Sequence, residues 1–108
     1  MPRTEIPPGT LYMMILKTLE GGPMHGYGIA LRIKQLSDEV LDVEEGSLYP
    51  ALQRMLVKGW VAAEWRTSEN KRRARYYRLT SAGRKQLGVE LSEFGRVMQA
   101  IRQVIQTA

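Results

Sequence analysis

The stretch EGSLYPALQRMLVKGWVAAEWRTSENKRRARYYRL, Glu45 to Leu79, changes period midway, and that change decides the fold. Up to Lys58 its apolar residues recur as on a helix. Leu48, Ala51, Leu52, Met55 and Leu56 gather within about 140° of arc at 100° per residue. Ser47 is placed to cap this helix, which puts Pro50 in the first turn, where a missing N–H costs nothing. Gly59 is placed to end it as the residue after the C-cap. The opposite face carries Ser47, Pro50, Gln53, Arg54, Val57 and Lys58, with Tyr49 at its border.

Beyond Trp60 the period drops to two. WVAAEWR and RARYYRL read as the strands of a hairpin around the polar connection TSENK. Val61, Ala63 and Trp65 are expected on one face, and Arg75, Tyr77 and Leu79 on one face of the return strand. Six basic residues and one acid fall between Arg66 and Arg78, so this segment holds a net charge of +5. The rest of the chain balances, with an acidic cluster at Asp38, Glu39, Asp42, Glu44 and Glu45. One concentrated positive patch on a neutral body fits a polyanionic partner, either nucleic acid or an acidic surface.

Two helices precede this stretch. Thr10 is placed to cap the first, with Leu11, Ile15 and Leu19 at intervals of four; EGGP at 20–23 stops it. In HGYGIALRIKQLS the stripe is Ile29, Ile33 and Leu36. Its early glycines point either to a close backbone approach or to a frayed start. Thr80 or Ser81 is placed to cap a last helix running nearly to Ala108. There Leu87, Leu91, Phe94, Met98, Ile101 and Ile105 step 4-3-4-3-4, a heptad seam widened by Val97 and Val104. A helix of about 26 residues spans about 39 Å, longer than so small a body can cover. Part of the seam must meet another chain or stay in water.

At 108 residues without cysteine, the chain reads as one domain with neither a disulfide scaffold nor a thiolate metal site. A single histidine, His25, supplies neither a metal site nor a triad; at a helix start it reads as a capping or packing residue. No paired acid and base or activated nucleophile is evident, which argues against an enzyme and against a cofactor or metal. No apolar run nears the roughly 20 residues that span a bilayer, and MPRTEIPPG lacks the apolar core of a signal peptide. A cytoplasmic location without membrane contact is the expectation.

Helix, helix, helix, hairpin, helix is the order of a winged helix-turn-helix. The expected fold is therefore mainly α with a small β-hairpin: an N-terminal arm over 1–9, a winged-helix domain over 10–80, and a long C-terminal dimerisation helix over 81–108. In such a fold the third helix can enter the major groove, about 12 Å wide, while the hairpin lies along the backbone or minor groove. Candidate DNA contacts are Ser47, Tyr49, Pro50, Gln53, Arg54 and Lys58 on the helix, and Lys71, Arg72, Arg73 and Arg75 on the wing. Arg75 and Arg78 have a second expected role, laying their stems on Tyr76 or Trp65. Candidate interface residues between two copies are Leu11, Ile15, Leu87, Leu91, Phe94, Met98, Ile101 and Ile105.

HGYGI, EGSLYPALQRM, KGW and KRRARYYRLTSAGRKQL together resemble the PadR family of bacterial transcriptional regulators, from about Thr10 to Leu87. The single last helix is similar to that of the shorter members. The resemblance implies a homodimeric repressor bound to a pseudo-palindromic double-stranded operator and released by a small, often aromatic, effector. Two features depart from the family pattern. Ala74 interrupts the charges that usually run up to the tyrosine pair, and Phe94, followed by Gly95, stands where some members carry a ligand-stacking tryptophan. Phe94 and Met98 are thus the candidate effector contacts. The alternative reading is a winged helix that binds an acidic protein partner.

Overall fold

The computed structural model describes residues 4–7, 9–67 and 69–107. Met1 to Arg3, Pro8, Ser68 and Ala108, which belong to the expected arm, hairpin connection and helix end, lie outside the described residues. Four helices and five short strands follow in the order β1 (Thr4–Glu5), α1 (Leu11–Leu19), β2 (Met24–His25), α2 (Gly26–Leu36), β3 (Leu41–Asp42), α3 (Glu45–Val57), β4 (Val61–Thr67), β5 (Arg73–Leu79) and α4 (Ser81–Gln106). The described molecule is a mainly α winged helix with a long terminal helix, as its periodicities predict.

Ile15 and Leu16 of α1, Ile29 of α2, and Leu48, Leu52 and Met55 of α3 are sealed from solvent and form the centre of the core. Leu36, expected on the buried stripe of α2, is instead 62 % exposed. Ile33 is the last buried residue of that helix, and one turn later α2 has passed the edge of the core.

Helix ends follow local chemistry with two exceptions. His25 caps α2: its Nδ1 accepts the Gly28 N–H at 3.0 Å. Thr80 caps α4, accepting the Gly83 N–H at 3.0 Å. Gly59, with φ +76°, closes α3 with its N–H on the Leu56 carbonyl at 3.1 Å and the Trp60 N–H on the Met55 carbonyl at 3.0 Å. Thr10, by contrast, precedes α1 but its hydroxyl donates to the Pro7 carbonyl, leaving the helix without a side-chain cap.

The start of α3 is the second exception. It begins at Glu45, after Glu44, so Ser47 sits inside the first turn rather than capping it, and Pro50 falls in the second turn. There the missing N–H leaves the Gly46 carbonyl without its helical partner. Gly46 is exposed, so its carbonyl is not shut away from solvent.

The hairpin register pairs Val61 with Leu79, Ala63 with Tyr77 and Trp65 with Arg75, which puts both expected sets of residues on one face. Val61 and Tyr77 anchor that face in the core, on which an isolated ribbon depends. Two pairings go beyond the sequence expectations. Strand β2 joins β5 antiparallel, Met24 to Tyr77 and His25 to Tyr76, making a three-stranded sheet. In the arm, β1 runs parallel to β3, Thr4 opposite Leu41. At the start of α4, a Cβ on Gly83 would lie 2.0 Å from the Trp60 carbonyl oxygen. Only glycine lets the helix approach the wing's base this closely.

Candidate nucleic-acid interface

The outward face of α3 is open along its length. Ser47, Pro50, Gln53, Arg54 and Lys58 are exposed, and Val57 is 81 % exposed. Gly46, Pro50, Gln53 and Val57 lie nearest the centre of that face, opposite Leu48 and Met55; Ser47 and Arg54 flank it on one side and Tyr49 on the other.

Both flanks are tied to neighbouring helices. A Cβ on Gly26 would lie 2.7 Å from the Tyr49 ring, so the glycine at the start of α2 makes room for that ring. This favours close approach over fraying as the reason for the glycine. Burial pushes the Tyr49 hydroxyl's pKa up, with smaller contributions from Glu45 and Tyr77. On the other flank the Nε of Arg54 donates to the Tyr12 hydroxyl at 2.5 Å, and its guanidinium lies 5.7 Å from the Tyr12 ring centre. Tyr12 in turn meets Trp60 edge-on at 5.7 Å, and the Lys58 ammonium sits 5.1 Å from the Trp60 ring centre.

Arg54 is thus turned toward α1, leaving its terminal amines as the part able to meet DNA. Gln53 holds the more central position. Sequence reasoning missed Tyr12 because the contact joins residues 42 apart.

On the wing, Lys71 turns the tip with φ +58°, and Lys71, Arg72, Arg73 and Arg75 are all exposed. Three arginines lie over aromatic rings of the same ribbon: Arg73 at 5.2 Å from the Trp65 ring centre, Arg66 at 5.4 Å from that of Tyr76, and Arg75 at 5.9 Å from that of Tyr77. Arg66 also pairs with Glu64. The register sets Arg75 directly opposite Trp65, while its guanidinium lies over Tyr77 rather than over Tyr76. Residues two apart on a strand share a face, so Arg75 falls beside Tyr77 while Tyr76 points to the other side.

The last helix leaves a long apolar stripe uncovered. Leu91, Phe94, Val97 and Ile101 are about two-fifths exposed, and Val104 and Ile105 about three-quarters. Leu11 and Met98 are half-buried. Ile15 and Leu87, expected to meet a second chain, are 0 % and 3 % exposed within this one. They belong to the chain's own core and offer a partner no surface. Between the first turn of α1 and α4 runs a groove of about 220 Å³ lined by Gly9, Thr10, Met13, Glu90, Glu93, Phe94 and Val97. Phe94 lines it; Met98 is not among its lining residues.

Among the described residues there is no cluster of ligating side chains able to hold a metal, and no helix long and apolar enough to cross a membrane.

An open helix face beside an arginine-bearing ribbon defines a winged-helix regulator. Residues 15–89 match the Transcriptional regulator PadR-like family, and the chain belongs to that family. The match has nearly the extent expected from the motifs between Thr10 and Leu87. Among solved structures, a transcriptional regulator from Clostridium thermocellum is 28 % identical with a TM-score of 0.83, covering 91 % of this chain and 95 % of that one. A PadR family transcriptional regulator from Eggerthella lenta is 29 % identical with a TM-score of 0.77, covering 93 % and 85 %. A 37.1 kDa protein of transposon TN4556 from Streptomyces fradiae is 41 % identical over 85 residues, which are 79 % of this chain but 23 % of that protein. This chain therefore spans less than a quarter of that relative's length.

Proposed function

We propose that this protein is a sequence-specific regulator of transcription that binds double-stranded DNA in the cytoplasm as a homodimer and acts as a repressor. Residues 10–80 form its DNA-binding unit, and residues 81–108 its dimerisation helix. The observation that carries this reading is the pairing of two surfaces: the uncovered face of α3, centred on Gln53, and a wing with Arg66, Arg73 and Arg75 over its aromatic rings. The α3 face supplies base contacts in the major groove; the wing supplies charge to the phosphates. The uncovered stripe of α4 supplies the surface for a second copy, through Leu91, Phe94, Met98, Ile101 and Ile105 with Leu11 alongside. The groove beside Phe94 is the place for a small aromatic effector.

Gln53→Ala tests the reading helix. An amide meets adenine through two hydrogen bonds, worth roughly 1–3 kcal/mol of discrimination. The variant is expected to lose preference at particular base pairs in a binding-site selection while its affinity for unrelated duplex stays the same. A preference identical to the parent's removes Gln53 from the reading surface.

A further inference from the structure

Trp65 is the one large apolar side chain that β4 leaves in water, at 58 % exposure. It ends a stripe that begins in the core with Val61, 2 % exposed, and passes through half-buried Ala63. Within the chain the ring meets the Arg73 guanidinium, 5.2 Å from its centre, yet more than half of the residue stays in water. Trp60, the other tryptophan, is half-buried against Tyr12. The stripe's cross-strand partners are Leu79, Tyr77 and Arg75, so Trp65 shares its face with buried Tyr77. Arg75 covers that tyrosine, and strand β2, paired with Tyr76 and Tyr77, leads directly into Gly26, which lies against the Tyr49 ring of α3. The ribbon face that carries Arg75, and Trp65 with Arg73 on its ring, is thus joined at its base to the edge of the reading helix.

We propose that Trp65 is itself a DNA-contacting residue of the wing, its ring packing against the deoxyribose wall of the minor groove while Arg73 and Arg75 meet phosphates beside it. This rests on the reading that the wing binds DNA. Duplex DNA is the occupant because the ring is flanked by cations on the ribbon that follows α3 and packs against it. The sugars that line the minor groove are its apolar component, and apolar side chains such as Phe and Leu enter that groove in other proteins. An aromatic ring between two arginines matches both parts of the groove at once.

Trp65→Ala leaves the charge unchanged. It is expected to lower affinity for duplex about 5- to 20-fold, the lower part of the range for aromatic–nucleotide contacts, with no change in the salt dependence. The fluorescence difference between the parent and Trp65→Phe isolates the Trp65 signal. Acrylamide should quench that signal in the free protein and quench it less once duplex is bound. The loss from Trp65→Ala should also persist in an Arg73→Ala background.

Equal quenching with and without duplex overturns the proposal, whatever the stability of Trp65→Ala. Disappearance of the affinity loss in the Arg73→Ala background also overturns it, because Trp65 would then serve only to support Arg73. A parent protein that binds no duplex at all defeats the DNA reading itself, an outcome distinct from both.

Discussion

Replacing Lys71, Arg72 and Arg73 together by alanine is expected to weaken binding to specific and unrelated duplex alike and to flatten its salt dependence. Each phosphate that the wing no longer neutralises lowers the slope of log affinity against log salt by about 0.9. Three such phosphates remove about 2.7 from the slope, which corresponds to about 500-fold in affinity at 0.1 M salt relative to 1 M. All three side chains are exposed at or beside the hairpin tip, so the core stays as it was. A fluorescence-anisotropy titration at several salt concentrations measures the slope. An unchanged slope removes the wing from the interface.

The second large effect concerns association. Leu91→Asp with Ile101→Asp puts two charges on the uncovered stripe of α4. Both positions are more than two-fifths exposed within one chain, so each protomer tolerates the change. Buried between two chains, the same charges cost several kcal/mol. Sedimentation is expected to show folded monomers that bind operator poorly. A tight dimer from the double variant places the interface elsewhere and takes the effector groove beside Phe94 out of the account.

Much of this molecule is legible in its sequence because its helices and ribbon carry strong periods. The apolar arc of α3, the stop at Gly59 and the two faces of the hairpin all follow from spacing alone, and the register of Trp65 opposite Arg75 agrees. What escapes has no period to show. Strand β2 is two residues long, and its pairing to Tyr76 and Tyr77 depends on the whole chain's path. The hydrogen bond from Arg54 to Tyr12 leaves no local trace for the same reason.

Ser47 and Pro50 mislead in a different way. Their residue types favour a cap and a first turn, but α3 starts earlier, with Leu48 and Ala51 buried, and exposed Gly46 tolerates the missing hydrogen bond. Ile15 and Leu87 show the limit of the seam argument. An apolar residue at the right interval faces a core, and the interval cannot say whose core it is.

The central claim is that two recognition helices, related by a two-fold axis through α4, read one duplex. Selection of bound DNA from a random-sequence pool, at a stated salt concentration, tests this most directly. The expected result is a pseudo-palindrome whose two half-sites are centred about 34 Å apart, one turn of the double helix, with flanking positions protected by the wings. Enrichment of no sequence, or of a single half-site without a two-fold mate, would contradict it.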